Sequence, residues 1–324
     1  HIVVLSTHPD KPRWHLHSSI RCMPESSRAS FHDWLQGARP HTWANAFAPV
    51  VAGTGAAAWS GNASIYRAML AMVVAWTLIV GVNYANDYSD GIRGTDENRQ
   101  GPARLTGGRL TEPKNVLIAA LSCFGVAGVA GLILLALSGA WLLILPGIAA
   151  VVAAWFYTGG RTPYGYMGIG LSELFVFVFF GLMACVGTTW TQIPQAPGWL
   201  WALASALGLL SVALLMANNI RDIPSDRESG KKTLAVRLGD MPSRGVYVGC
   251  FALAIGVLGG VVSFLGFPVS VVLLALVVTS VGAAPAVWVL ASGRRGSALI
   301  PAIKRTGLFT LAWAVEISVF LVLA

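Results

Sequence analysis

The sequence predicts an all-α, polytopic membrane protein with nine transmembrane helices, and three observations carry that prediction. The chain is 55% hydrophobic and only 11% charged, against roughly 25% charged residues in soluble domains. Its apolar residues gather into runs of about 20, the length at which a helix crosses a bilayer with its backbone hydrogen bonds satisfied internally. Its basic residues fall almost entirely on one side of the topology those runs imply.

The runs lie near residues 40–59, 66–86, 115–137, 140–157, 167–187, 199–219, 245–264, 268–290 and 306–323. With the N-terminus placed inside, 21 of the 22 Lys and Arg residues share one side, Arg67 being the exception. The loops after the second, sixth and eighth spans hold 5, 6 and 4 basic residues, and those after the third, fifth and seventh hold none. This asymmetry places the N-terminus and the basic loops in the cytoplasm of a multi-pass cell-membrane protein. It also accounts for the net charge of +8, so no nucleic-acid partner is expected.

Residues 1–30 are polar, are broken by Pro12 and Pro24, and are expected to be a flexible tail ahead of one membrane domain over 31–324. His15 and His17 in that tail read as part of it rather than as a metal site. All six histidines stand at or before His41, so histidine chemistry is not expected in the membrane core. The four cysteines, Cys22, Cys123, Cys185 and Cys250, lack metal-site spacing and read as small apolar fillers.

Two acidic clusters stand where apolar runs end. Asn83, Asp87 and Asp90, spaced i, i+4, i+7, share a helix face at the end of the second span. Asn219, Asp222 and Asp226 repeat the pattern as i, i+3, i+7 at the end of the sixth. A helix C-terminus already carries partial negative charge, so each carboxylate there costs roughly 0.3–1 kcal/mol unless a cation offsets it. Oxygen ligands without His or Cys favour Mg²⁺ or a similar hard ion, usually bound through one or two carboxylates together with substrate phosphates. The bases that follow suit a phosphorylated ligand: Arg93, Arg99, Arg104 and Arg109 after the first cluster, and Arg221, Arg227, Lys231 and Lys232 after the second. Gly107, Gly108 and Gly230 would let backbone amides approach the same anion.

One carboxylate at a membrane helix end is commonly a solvated boundary residue. Two clusters on one side, each preceded by Asn at helical spacing, argue for a site. Pro224 is expected to end its helix and leave Asp226 at a mouth. A third element, Tyr157 to Arg161 with Tyr164 and Tyr166 behind it, offers Arg161 either as topology charge or as a ligand contact. Glu173 and Glu316 are the only acids inside predicted spans. Glu173 is the better candidate for a polar substrate contact, and Glu316 reads equally as a packing or pairing residue.

Taken together, four segments resemble the UbiA superfamily of intramembrane prenyltransferases, and more narrowly its menaquinone branch, from about Arg39 onward. They are Ala38-Arg39-Pro40, the run from Asn86-Asp87-Tyr88-Ser89-Asp90 to Asp96, the run from Ile220 to Asp226, and the run from Gly230-Lys231-Lys232 to Gly239. The resemblance implies nine helices around a central cavity with both acidic motifs at its cytoplasmic mouth. It implies Mg²⁺ held by Asp87, Asp90, Asp222 and Asp226, with Asp96 as a further ligand. Substrate contacts are then expected from Asn83, Arg93, Arg104, Arg109, Tyr157, Arg161, Glu173, Asn219, Lys231 and Lys232. The implied donor is a polyprenyl diphosphate whose tail stays in the lipid bilayer. The implied acceptor is 1,4-dihydroxy-2-naphthoate, which loses its carboxylate as CO₂ to give demethylmenaquinone. Tyr84, Tyr88 and Tyr157 are candidates to face developing positive charge, or else interfacial anchors.

Two positions depart from the family pattern. Asp96 stands six residues after Asp90, farther than the family spacing, and Arg161 replaces a lysine. Other acceptors, such as 4-hydroxybenzoate, fit the same fold. The competing class is a secondary transporter, whose ion sites tend to lie near the midplane on broken helices. Here the four best acids stand at one membrane face beside basic loops.

Overall fold

The computed structural model describes residues 29–94 and 104–324. Nearly all of the predicted tail, His15, His17, Asp96 and Arg99 lie outside the described residues. Among the described residues all regular structure is helical. In order these are α1 (Phe31–Gly37), a 3₁₀ turn (Pro40–Thr42), α2 (Ala44–Trp59), α3 (Ile65–Ile92), α4 (Pro113–Ser138) and α5 (Ile144–Thr158). Next, α6 (Leu171–Phe177) runs through a π-helical segment (Val178–Met183) into α7 (Ala184–Trp190). The chain then forms α8 (Gly198–Glu228), α9 (Leu234–Leu238), α10 (Asp240–Phe264), α11 (Val269–Ala291) and α12 (Ile300–Leu323).

Eight stretches are long and apolar enough to cross a membrane, and they match the last eight predicted spans. The first predicted span is the 3₁₀ turn followed by the 16 residues of α2, about 24 Å at 1.5 Å per residue. α2 is enclosed by other helices instead of facing lipid. Ala48, Ala52, Ala56 and Ala57 have no exposed surface, and a Cβ at Gly53 would lie 2.5 Å from the Cys185 carbonyl oxygen. Small residues let α2 approach α7 and α12 closely, as membrane helices do where lipid supplies no hydrophobic drive.

α8 is the hub, with 72% of its apolar window buried. On one side it joins α10, α11 and α12 in a filled core that includes Tyr247, Phe251, Phe309 and Trp313. The rings of Phe251 and Phe309 stack at 4.9 Å, and Trp313 donates its indole N–H to the Ala254 carbonyl at 3.2 Å. The π-helical segment crosses α8 where a Cβ on Gly181 would come 2.4 Å from Gly208 Cα. Leu145, Val129, Leu253, Leu274 and Leu308 are exposed on the outer helices, an apolar surface suited to lipid.

The predicted fillers Cys185 and Cys250 are buried and Cys123 is half-buried, all as free thiols. Arg67, the exception to the charge asymmetry, donates to the carbonyls of Leu137 and Thr191. It thereby satisfies the ends of α4 and α7, which lack helical partners there. Glu316 pairs within the bundle, since the Thr279 hydroxyl lies 3.0 Å from each of its carboxylate oxygens.

Two expectations are corrected. Pro224 does not end its helix, because α8 continues to Glu228 around it. The ring removes only the bond that residue 224 would donate to Ile220, and the next turn holds without it. Both acidic clusters are therefore helical to their last member. Nine helices do not surround the cavity described next: among the described residues, α10, α11 and α12 contribute nothing to its wall. α8 stands between them and the space, and their own side chains fill the core behind it.

Candidate active site

A cavity of about 750 Å³ opens between α2, α3, α4, α5, the α6–α7 span and α8. Much of its wall is apolar, with Val50, Leu78, Ile148, Val151 and Met183 among its side chains. Charged groups enter it from the C-terminal ends of α3 and α8 and from the loops beside them. From α3 come Asn83, Asn86 and Asp90; from α8 come Asn219, Arg221, Asp222 and Asp226; Arg104 and Lys231 reach in from the loops.

On α3 the face meeting the cavity differs from the expected one. Asp87 has no exposed surface and does not reach the cavity wall. Its carboxylate accepts the backbone N–H groups of Leu105 at 3.0 Å and Thr106 at 2.8 Å. Asn86 takes its place on the wall, accepting the Thr158 hydroxyl at 2.8 Å. Asn83 donates to the Ala38 carbonyl and the Thr42 hydroxyl, each at 3.0 Å, which ties α3 to the turn before α2. Asp90 accepts the Tyr166 phenol at 2.6 Å and stands 3.7 Å from the Lys231 ammonium.

The second cluster faces the cavity as a whole. Arg221 grips Asp222 with two bonds of 2.7 Å, a bidentate pairing. Lys231 sits over the Tyr166 ring, 5.0 Å from its centroid. Burial works against the Lys231 charge, but the Asp90 and Asp226 carboxylates outweigh it and hold the ammonium well above the usual lysine range. The loop after α5 reaches this lysine through Gly168, whose φ of +61° and place 2.4 Å from the Lys232 carbonyl would admit no side chain.

Several predicted contacts lie elsewhere. Arg93 is exposed, donates to the Gly160 carbonyl and lies 5.7 Å from the Tyr166 ring centroid. Arg109, Arg161 and Lys232 are exposed and outside the wall, because their loops turn them toward solvent. Glu173 is buried but also off the wall, and its Oε1 has no hydrogen-bond partner among the described residues. Of the three tyrosines considered, Tyr157 lines the cavity, whereas Tyr84 packs in a second core with Leu105 and donates to the Trp34 carbonyl.

The sequence reading missed two groups. Gln36, Arg39, His41 and Asn45, from the corner between α1 and α2, all line the cavity. Arg39 holds a left-handed φ of 52° there, and His41 brings an imidazole to a site where none was expected. Their signal was faint, since a corner carries no periodicity. The second group is aromatic: Tyr157, Tyr164, Phe175 and Phe179 form a chain of ring contacts at 5.5, 4.9 and 5.9 Å, and all four line the wall.

The donor set indicates what the mouth can hold. Among the described residues no three His, Cys, Asp or Glu side chains form a ready-made metal cage. Three carboxylates, Asp90, Asp222 and Asp226, nevertheless share the wall with Asn and basic groups. This fits Mg²⁺ bound by one or two carboxylates together with phosphate oxygens, and does not fit a metal held by protein alone.

A helical membrane protein with an apolar chamber, paired acidic helix ends and attendant bases is built to receive an amphiphile with an anionic head. The model of the UbiA prenyltransferase family matches residues 46–311, and the chain belongs to that family. It is 51% identical over 293 residues, 90% of this chain and 97% of the relative, to a 1,4-dihydroxy-2-naphthoate octaprenyltransferase of Mycobacterium tuberculosis. A protein of the same description from Escherichia coli is 38% identical, over 68% of this chain and 73% of the relative. Among solved structures, a UbiA homolog from Archaeoglobus fulgidus bound to GPP and Mg²⁺ superposes with a TM-score of 0.62 at 14% identity. That alignment covers 90% of this chain and 100% of the other.

Proposed function

We propose that this protein transfers a polyprenyl group from polyprenyl diphosphate to 1,4-dihydroxy-2-naphthoate in menaquinone biosynthesis. The observation that carries the reading is the meeting of Asp90, Asp222 and Asp226 with Arg104, Arg221 and Lys231 at the mouth of an apolar cavity, in a chain 51% identical to a relative with that activity in its name. The diphosphate belongs at the mouth and the prenyl tail in the apolar depth. The relatives' octaprenyl donor makes that length the first to test.

Asp90, Asp222 and Asp226 would hold Mg²⁺, which when bound neutralises the diphosphate and makes it a better leaving group. Arg104, Arg221 and Lys231 take up phosphate oxygen charge. To do so, Lys231 and Arg221 exchange their present carboxylate partners for the ligand. As the allylic C1–O bond breaks, diphosphate leaves with the electron pair, and the faces of Tyr157, Tyr164, Phe175 and Phe179 offset the positive charge developing on C1. A naphthoate ring carbon forms the new bond to C1. The ring carboxylate departs as CO₂ and leaves its bonding pair in the ring. No oxidant takes part, so the product is the quinol form of demethylmenaquinone. The apolar wall keeps water from the cation.

Residues 31–324 serve as one membrane domain, with α2 as a ninth, enclosed span. The mouth opens to the cytoplasm, a placement supported by the 21 basic residues on its side of the topology. The test is an assay of detergent-solubilised protein with octaprenyl diphosphate, 1,4-dihydroxy-2-naphthoate and Mg²⁺, with EDTA as control and 4-hydroxybenzoate as rival acceptor. Metal-dependent product with the naphthoate alone is expected. Product only with 4-hydroxybenzoate would move the protein to another branch of the family.

A further inference from the structure

We propose that Asp87 is a positioning residue, a clamp that sets Arg104 at the cavity mouth, and that it is not a ligand of the metal. The inference rests on the reading of that mouth as a metal–diphosphate site. Asp87 has the letter and helical spacing of a ligand, yet its side chain has no exposed surface and lies off the wall that Asp90 shares with Asp222 and Asp226. Both of its oxygens are used. Oδ2 accepts the N–H of Leu105 and Oδ1 that of Thr106. Two backbone donors on one carboxylate are charge-assisted bonds, and they act on consecutive peptide units. The orientation of that short segment is thereby fixed to the end of α3.

What the clamp holds is functional. Arg104, immediately before the clamped amides, lines the cavity. Leu105, only 1% exposed, anchors the other side of the segment. A Cβ added to Gly37 would lie 2.8 Å from it, and one on Gly91 would lie 2.4 Å from the Thr106 side chain. The segment is therefore wedged between α1 and the last turns of α3, with Asp87 as its polar fastening. Arg104 is one residue from that fastening, so a tilt of the Leu105 peptide moves the base of its side chain directly.

Two variants test the clamp. Asp87→Asn keeps the shape but replaces one acceptor by a donor aimed at an N–H. Gly91→Ala pushes the Thr106 turn away without touching any acid. The parent chain, these two, Asp90→Asn, Arg104→Ala and the double variant Asp87→Asn/Arg104→Ala would be purified in detergent. Mn²⁺ binding would be followed by electron paramagnetic resonance with inorganic diphosphate present, and donor KM and kcat would be measured in parallel.

Asp87→Asn and Gly91→Ala should leave Mn²⁺ affinity within about twofold of the parent, whereas Asp90→Asn should weaken it by more than about tenfold. Both should raise donor KM by about the same factor as Arg104→Ala, with a smaller change in kcat. The double variant should be no worse than Arg104→Ala alone, because residues acting through one another are not additive. Mn²⁺ loss in Asp87→Asn equal to that in Asp90→Asn, or a double-variant loss equal to the product of the singles, would overturn the clamp. If Asp87→Asn fails to fold, Gly91→Ala decides alone, and an unchanged donor KM in it would count against the proposal. A parent that binds no Mn²⁺ with diphosphate would instead overturn the reading of the mouth itself.

Discussion

The two acidic helix ends carry nearly the same letters and use them differently. At the end of α8 both Asp222 and Asp226 face the cavity; at the end of α3 only Asp90 does, while Asp87 is turned into the segment behind it. The difference lies in what packs behind each helix. Behind α8, Ile220 and Ile223 sink into the apolar core shared with α10–α12, and nothing there needs a carboxylate. Behind α3 a loop presents two backbone N–H groups, buried donors that would cost free energy if left unpaired. The motif offers acids at helical spacing, and the neighbouring backbone decides which of them the cavity receives.

The largest effect expected is on turnover. Asp226→Ala should lower it by more than about a hundredfold, beyond the range for groups that only support a ligand, with little change in thermal unfolding. Steady-state kinetics alongside melting in micelles would reveal the opposite pattern if the second cluster were structural. Asp87→Ala should act on stability instead, costing about 2–4 kcal/mol because two buried amides lose their acceptor. Chemical denaturation in mixed micelles would read this. An Asp87→Ala protein as stable as the parent would erase the contrast between the two ends.

A smaller change is expected from Tyr166→Phe, which removes the 2.6 Å bond to Asp90 but keeps the ring beside Lys231. A fall of about five- to tenfold in kcat/KM corresponds to one hydrogen bond of roughly 1 kcal/mol. Arg161→Ala should change kinetics by less than about twofold, as exposed substitutions do, and a larger effect would bring its loop into the site. The smallest effect concerns Asp33, an exposed counterpart of Asp87. It accepts the hydroxyl and the backbone N–H of Ser30 in the capping box of α1, and these bonds hold its pKa below the usual value. A lowered folded pKa means the cap is fully present above about pH 4, the ordinary Asp value, and fades as pH falls through the folded value. Hydrogen exchange of the α1 amides should show that loss, and Ser30→Ala should remove its pH dependence.

Much of this was readable from the letters. Apolar run length marked eight of the membrane helices, and the second acidic cluster lies on the face its spacing indicates. The first cluster was ambiguous for a geometric reason. At about 100° per residue, Asn86 and Asp87 flank the line through Asn83 and Asp90 on opposite sides, so spacing alone does not say which of them meets the cavity. Hydropathy also marks α10–α12 as spans without revealing that they pack behind α8 and leave the chamber to the earlier helices. Arg39 and His41 reach the wall from a corner shaped by a left-handed residue and a 3₁₀ turn, and neither leaves a periodic trace.

The π-helical segment Val178–Met183 makes the chamber sensitive to residue count. Such a segment accommodates a residue beyond the α-helical repeat. Deleting one residue there would turn α7 by about 100° against α6, carrying Thr188 and Thr191 off the wall they now share and Cys185 away from Gly53. A one-residue deletion would leave hydropathy and span length almost untouched while giving the chamber a different lining.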